Sequence, residues 1–134
     1  GFNETEGVVD APLARGNVDR KKIVIDRMNG KRAVTHYKVL ENIVTFAHIE
    51  CILETGRTHQ IRVHMKSIGH PILGDEVYSN SPAKLGKFSS GGQMLHARTI
   101  GFVHPTTGKY MEFTSELPKY FTDCIEFIKK KGGI

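Results

Sequence analysis

The sequence predicts an α+β chain, mostly antiparallel β-sheet with two helices. Three observations predict it. Short apolar runs separated by turn residues fill the first fifty positions. Ile61, Met65 and Ile68 then recur at helical spacing, and Phe121, Cys124, Ile125 and Ile128 do so near the C-terminus. No internal repeat or linker composition divides the 134 residues, a length that suits one domain or part of one.

Residues 1–21 read as polar and irregular, with Pro12 and Gly16 as breakers. Residues 22–26 read as a short strand. Asn29-Gly30 signals a tight turn, because both residues tolerate positive φ. Residues 33–41 resume as a strand, Asn42 marks another turn, and residues 44–54 form a longer strand. There Ala47, Ile49, Cys51 and Leu53 make an apolar face, and Phe46, His48, Glu50 and Ile52 a mixed one. The first half is therefore expected to be a β-meander.

A helix of about three turns follows, with Thr58 as its expected N-cap and Gly69 as its C′ residue. Its apolar stripe is Ile61, Met65 and Ile68; His59, Arg62 and Lys66 line another face. Residues 75–92 have loop composition. Residues 95–104 and 109–114 are expected to pair as a hairpin around residues 105–108. An amphipathic helix closes the chain and is expected to fray at residues 129–133.

Composition narrows the function classes. With 39% hydrophobic and 25% charged residues, the chain has the mix of a folded protein rather than a disordered one. No run approaches the roughly 18 apolar residues of a membrane span, and the first six residues carry no signal-peptide pattern. Two cysteines, Cys51 and Cys124, make no disulfide scaffold, so a reducing, cytoplasmic setting is expected. The net charge is +5, and it is concentrated. Residues 15–38 hold eight basic and two acidic residues. One basic lobe on a near-neutral body suggests a polyanionic partner, with a solvated lysine-rich face as the alternative.

The densest polar segment is Gly56-Arg57-Thr58-His59-Gln60-Ile61-Arg62, at a strand-to-helix junction. A helix N-terminus offers free N–H groups and a positive dipole end, a natural seat for an anion. Arg57, His59, Arg62 and Lys66 would surround it; the plainer alternative is a capped helix whose basic residues face water. No metal site is expected, because no His-Glu-x-x-His or Cys-x-x-Cys spacing is present. His96 and His104 read as structural hydrogen-bonders, Cys51 as a core residue, and Asp75 as a turn residue satisfying backbone N–H groups.

The run Glu54-Thr-Gly-Arg-Thr-His-Gln-Ile-Arg-Val-His-Met, then Gly69-His-Pro-Ile-Leu-Gly-Asp-Glu-Val-Tyr78, Leu95-His-Ala97 and His104-Pro-Thr-Thr-Gly108, in that order and spacing, resembles the RluA/RluD family of pseudouridine synthases. The resemblance covers residues 7 to about 118. It implies isomerisation of uridines in structured RNA, ribosomal RNA being favoured over transfer RNA, with no cofactor and no metal. It also implies that the family's essential aspartate lies in a His-Arg-Leu-Asp motif, which this sequence does not contain. Residues 1–134 are thus expected to be the C-terminal portion of one catalytic domain, inactive alone, either a truncation, a proteolytic product or a natural short form. The competing reading is a non-catalytic RNA-binding module that kept the fold.

By the same resemblance, Arg62 pairs with the absent aspartate and Leu95 packs on the target base. Arg57, His59 and Gln60 are assigned to organising the cleft or contacting the RNA, and Lys66, Lys31 and Arg32 to binding the RNA. Arg62 is expected at the bottom of a concave surface, with Leu95 on a neighbouring strand. Missing cover should leave an open strand edge or apolar patch near Arg62. The parent is expected to be monomeric and to bind no membrane, while the isolated piece is expected to self-associate through exposed edges.

Overall fold

In a computed structural model of the protein, residues 1–43, 45–79, 92–103 and 105–130 are described. The first sheet has the order β1 (Glu6–Asp10), β4 (Val34–Ile43), β5 (Phe46–Leu53). A second pairs β2 (Leu13–Arg15) with β3 (Ile23–Ile25), and a third pairs β6 (Thr99–Val103) with β7 (Tyr110–Thr114). All these pairings are antiparallel. The helices are α1 (Gln60–Ser67) and α2 (Lys119–Lys130). The class is therefore the α+β arrangement expected.

The opening is more regular than its sequence suggests. Residues 1–21 contain β1 and β2, and Phe2, Val9, Ala11 and Leu13 are core residues. These strands are too short for alternation to show; their partners, β4 and β3, define them. The meander is also corrected, because β3 returns to β2 instead of running on into β4. The turn between β3 and β4 is organised by Asp26. Its side chain accepts the N–H groups of Met28 and Asn29, and its carbonyl accepts that of Gly30. Neither Asn29 nor Gly30 has positive φ. Glycine is needed at 30 for space, since a Cβ there would lie 2.3 Å from the Asp26 carbonyl oxygen.

Strand β4 runs straight through Asn42, where a turn was expected. The Asn42 amide pairs with the backbone of Phe2, accepting its N–H and donating to its carbonyl. The side chain so imitates one rung of a ladder.

Helix α1 lies across the inner face of the first sheet. Met65, with Ile61 and Ile68, packs on Phe2, Val9, Ala11 and Tyr37, and with the apolar face of β5. Val63 belongs to a second cluster with Leu13, Ile23, Ala33 and Tyr78. The helix is thus held from two sides, not by one stripe. It ends as expected at Gly69, whose φ of +85° lets the N–H groups of Gly69 and His70 close back onto Lys66 and Met65. Cys124 and Ile128 of α2 pack on Ile43 in a third cluster.

On the outer face of the first sheet, Val8, His36 and Ile52 stand side by side in one register row. Val8 and Ile52 are exposed, and beside them Lys38 sits between Glu6 and Glu50. Strand β5 has β4 as its one strand neighbour among the described residues. Among the described residues an open edge and an exposed apolar pair are therefore present, but the pair is on the face away from α1 and Arg62, because α1 itself covers the inner face. The chain beyond residue 130 and most of the 75–92 loop lie outside the described residues, as does His104.

Candidate functional site

The junction from β5 into α1 is built around Gln60, which is 3% exposed. Its amide nitrogen donates to the Val34 carbonyl and to Thr35 Oγ1. Its carbonyl oxygen accepts the Arg57 N–H and the Thr55 hydroxyl, and Thr55 Oγ1 accepts the Val34 N–H. Further in, His64 Nε2 donates to the Ala11 carbonyl, and its Nδ1 faces Thr35 Oγ1 at 2.8 Å. Because Nε2 carries the proton that bonds the Ala11 carbonyl, Nδ1 is the accepting nitrogen and the Thr35 hydroxyl donates to it. This chain of bonds ties β4 and the residue after β1 to the first turns of α1. Of the two roles expected of Gln60, organising the cleft and contacting RNA, its bonding fits the first: every polar atom of its amide is engaged within the protein.

The helix N-cap is His59, not Thr58. His59 has φ 54°, the one described non-glycine residue at positive φ, and no side-chain cap bond is made. Left-handed backbone at such a residue costs on the order of 1–3 kcal/mol. A 2.7 Å hydrogen bond from the Tyr78 hydroxyl to His59 Nδ1 helps hold it. The same hydroxyl accepts the Ile23 N–H. Burial and then the nearby Arg62 charge push the His59 pKa below its ordinary value.

Arg62 has a partner within the chain. Its Nε donates to Asp75 Oδ2 at 2.9 Å and its Nη2 to Oδ1 at 3.0 Å, a two-point ion pair. Asp75 is fully buried, and its Oδ1 also accepts the N–H groups of Val77 and Tyr78. The turn role expected of Asp75 is present, and the ion pair is added to it. Burial raises the Asp75 pKa, but Arg62 and the two N–H groups outweigh that and leave it below the ordinary value. The Asp75 carboxylate raises that of Arg62. The guanidinium carbon lies 5.0 Å from the centre of the Tyr78 ring. Arg62 is only 11% exposed, so it is not on a solvated convex face.

The other expected site residues are more scattered. Arg57 is exposed and its Nε donates to the Arg32 carbonyl. Arg32 is exposed and paired with Glu54, which also bonds His36. Lys31 is exposed and Lys66 partly so. Leu95 is exposed and precedes β6, rather than lying on a strand. The Met94 N–H on the Leu73 carbonyl brings Leu95 near the segment that carries Asp75. No described hydrogen bond joins it to Arg62. His96 bonds Ser115, as a structural histidine would. Burial pushes the Cys51 thiol up to about 11, which suits a core residue and not a nucleophile. Among the described residues no cluster of three His, Cys, Asp or Glu could hold a metal ion.

The family described as RNA pseudouridylate synthase matches residues 1–67, which run from the first strand through this junction and α1. The chain belongs to that family. It is 50% identical over 131 residues to the "Uncharacterized RNA pseudouridine synthase YlyB" of Bacillus subtilis, covering 98% of this chain and 42% of that protein. It is 48% identical over 124 residues to the "Ribosomal large subunit pseudouridine synthase D" of Zymomonas mobilis, covering 89% of this chain and 39% of the relative. Among solved structures, "Human RNA Pseudouridylate Synthase Domain Containing 4" superposes with a TM-score of 0.69 at 30% identity, over 93% of this chain and 57% of that one. The chain therefore spans about two fifths of the length of the curated relatives it matches.

Sequence reasoning missed Tyr78 and the partner of Arg62. A signal existed in Gly74-Asp75-Glu76-Val77-Tyr78, where an acid and an aromatic follow the helix closely enough to fold back on it.

Proposed function

We propose that the chain is the C-terminal portion of the catalytic domain of an RNA pseudouridine synthase, which isomerises uridines of large-subunit ribosomal RNA in the cytoplasm. The observation that carries the reading is Arg62, enclosed and oriented at the end of the Gly56–Arg62 segment within a chain of this family. In the reaction the N1–C1′ bond of uridine breaks, the uracil turns, and C5 joins C1′, with the proton formerly on C5 released. The aspartate that acts on this bond belongs to a part of the protein outside this sequence. Arg62 supplies N–H donors that keep such a carboxylate ionised. Leu95, near the same segment, supplies apolar surface to a uracil turned out of its stack. No metal or organic cofactor enters the scheme.

The lobe of β2 and β3 supplies the phosphate contacts. Arg15, Arg20, Lys21, Lys22, Arg27 and Lys31 are all exposed on it. Such contacts give affinity and little sequence preference. With six of them engaged, affinity should fall about a thousand-fold between 50 and 200 mM salt. Fluorescence anisotropy with a structured ribosomal RNA fragment checks this, and a salt slope near zero would remove the lobe from the interface. The parent acts as a monomer away from membranes, while the isolated chain self-associates through the open β5 edge.

The cellular test is pseudouridine mapping of ribosomal RNA from cells with and without the gene. At least one large-subunit pseudouridine should vanish on deletion and return with the intact gene. An unchanged large-subunit map, or a loss confined to transfer RNA, contradicts the proposal.

A further inference from the structure

We propose that Asp75 and Tyr78 are positioning residues that hold the Arg62 guanidinium in one pose and leave its outer N–H donors for a second carboxylate. This rests on reading the chain as part of a uridine-isomerising enzyme.

A guanidinium carries five N–H donors in a flat fork. Asp75 engages the Nε edge by two bonds, at 2.9 and 3.0 Å. Asp75 cannot swing away: it is buried, and the Val77 and Tyr78 N–H groups hold Oδ1. The Tyr78 ring lies beside the guanidinium and is fixed at its hydroxyl by Ile23 and His59. An arginine left free samples many rotamers, whereas this one is held at its edge and against a ring. What Asp75 does not engage is the Nη1 side.

The pair also sets the electrostatics. Asp75 offsets the charge of Arg62, so the pair acts on a neighbouring carboxylate through directed N–H bonds more than through net charge. The other charged or titratable groups facing this cluster are His59 at the start of α1, Tyr78 itself, and Arg15 at the end of β2.

The experiment uses the longer protein in which this chain is joined to the catalytic aspartate, and reads kcat against pH. D75N keeps the shape, removes one anion and loosens the clamp. Its kcat should fall roughly 10- to 100-fold, the size of effect expected for a misplaced catalytic group. Its acid limb should move down by about one pH unit, because an anion beside a carboxylate raises that carboxylate's pKa and D75N takes the anion away. An unmoved acid limb, with activity lost only in proportion to unfolded protein, would make Asp75 merely structural and overturn the proposal. Should D75N fail to fold, Y78L removes the ring and keeps the charge. Its kcat should fall with the acid limb in place, and an unchanged kcat overturns the proposal.

A second readout is independent of activity. In the 134-residue chain, the Arg62 Nε–H resonance should exchange slowly with solvent, and faster in Y78L. Exchange as fast as that of exposed Arg20 would overturn the clamp. If the longer wild-type protein made no pseudouridine, the functional reading would fail, while this resonance would still decide the clamp.

Discussion

Arg62→Ala is expected to destabilise the chain by about 3–5 kcal/mol, the usual cost of removing one partner from a buried ion pair. The effect comes less from the lost attraction than from Asp75, which is left charged and fully buried with only two backbone N–H donors. Replacing both residues by apolar ones of similar volume should recover much of the loss, since a well-packed apolar pair is often neutral in such a place. Urea unfolding followed by circular dichroism measures each variant. The sign of the pH dependence is fixed too. The folded Asp75 pKa lies below the ordinary carboxylate value, so its contribution is fully present above the unfolded pKa. It is lost as pH falls through the folded value. Wild type should therefore lose more stability than D75N on acidification below about pH 4. Identical acid sensitivity in the two would show that the pair contributes nothing to folding.

Much of this arrangement was legible in the sequence, for particular reasons. The stripe of Ile61, Met65 and Ile68 and the stop at Gly69 announced α1, because a helix writes its period into eight or more residues. The Cys124 and Ile128 stripe announced α2 in the same way. Strands β1 and β2 were hidden because three to five residues are too few for a period to show, and partners distant in sequence bury them. The N-cap was misplaced by one residue because tertiary contact with Tyr78 holds His59 in a conformation its own type disfavours. Gln60 looked like a surface residue by type, yet its four-way bonding inside the junction depends on Thr35, Val34 and Thr55 arriving from β4 and the end of β5. Arg62 was singled out for the floor of a cleft, and the structure shows its side chain largely buried against Asp75. Its in-chain partner was missed, since a contact between residues 62 and 75 depends on how the chain turns after α1.

The largest effect expected is on catalysis. The 134 residues alone should make no detectable pseudouridine, although they are expected to bind RNA. On the function proposed above, no aspartate here acts on the uridine: Asp75 is buried and committed to Arg62, and Arg62 would only orient and ionise a carboxylate supplied from outside this sequence. Binding energy does not replace the missing group, because binding substrate and transition state equally leaves the chemical step unchanged. The direct measurement is tritium release from RNA labelled at C5 of uridine. It is made with this chain, with the longer protein, and with the longer protein carrying Arg62→Ala. Release is expected from the longer protein alone, with losses of at least about a hundred-fold in the Arg62 variant after correction for folded fraction. Release by the 134-residue chain itself, or full activity without Arg62, would contradict it.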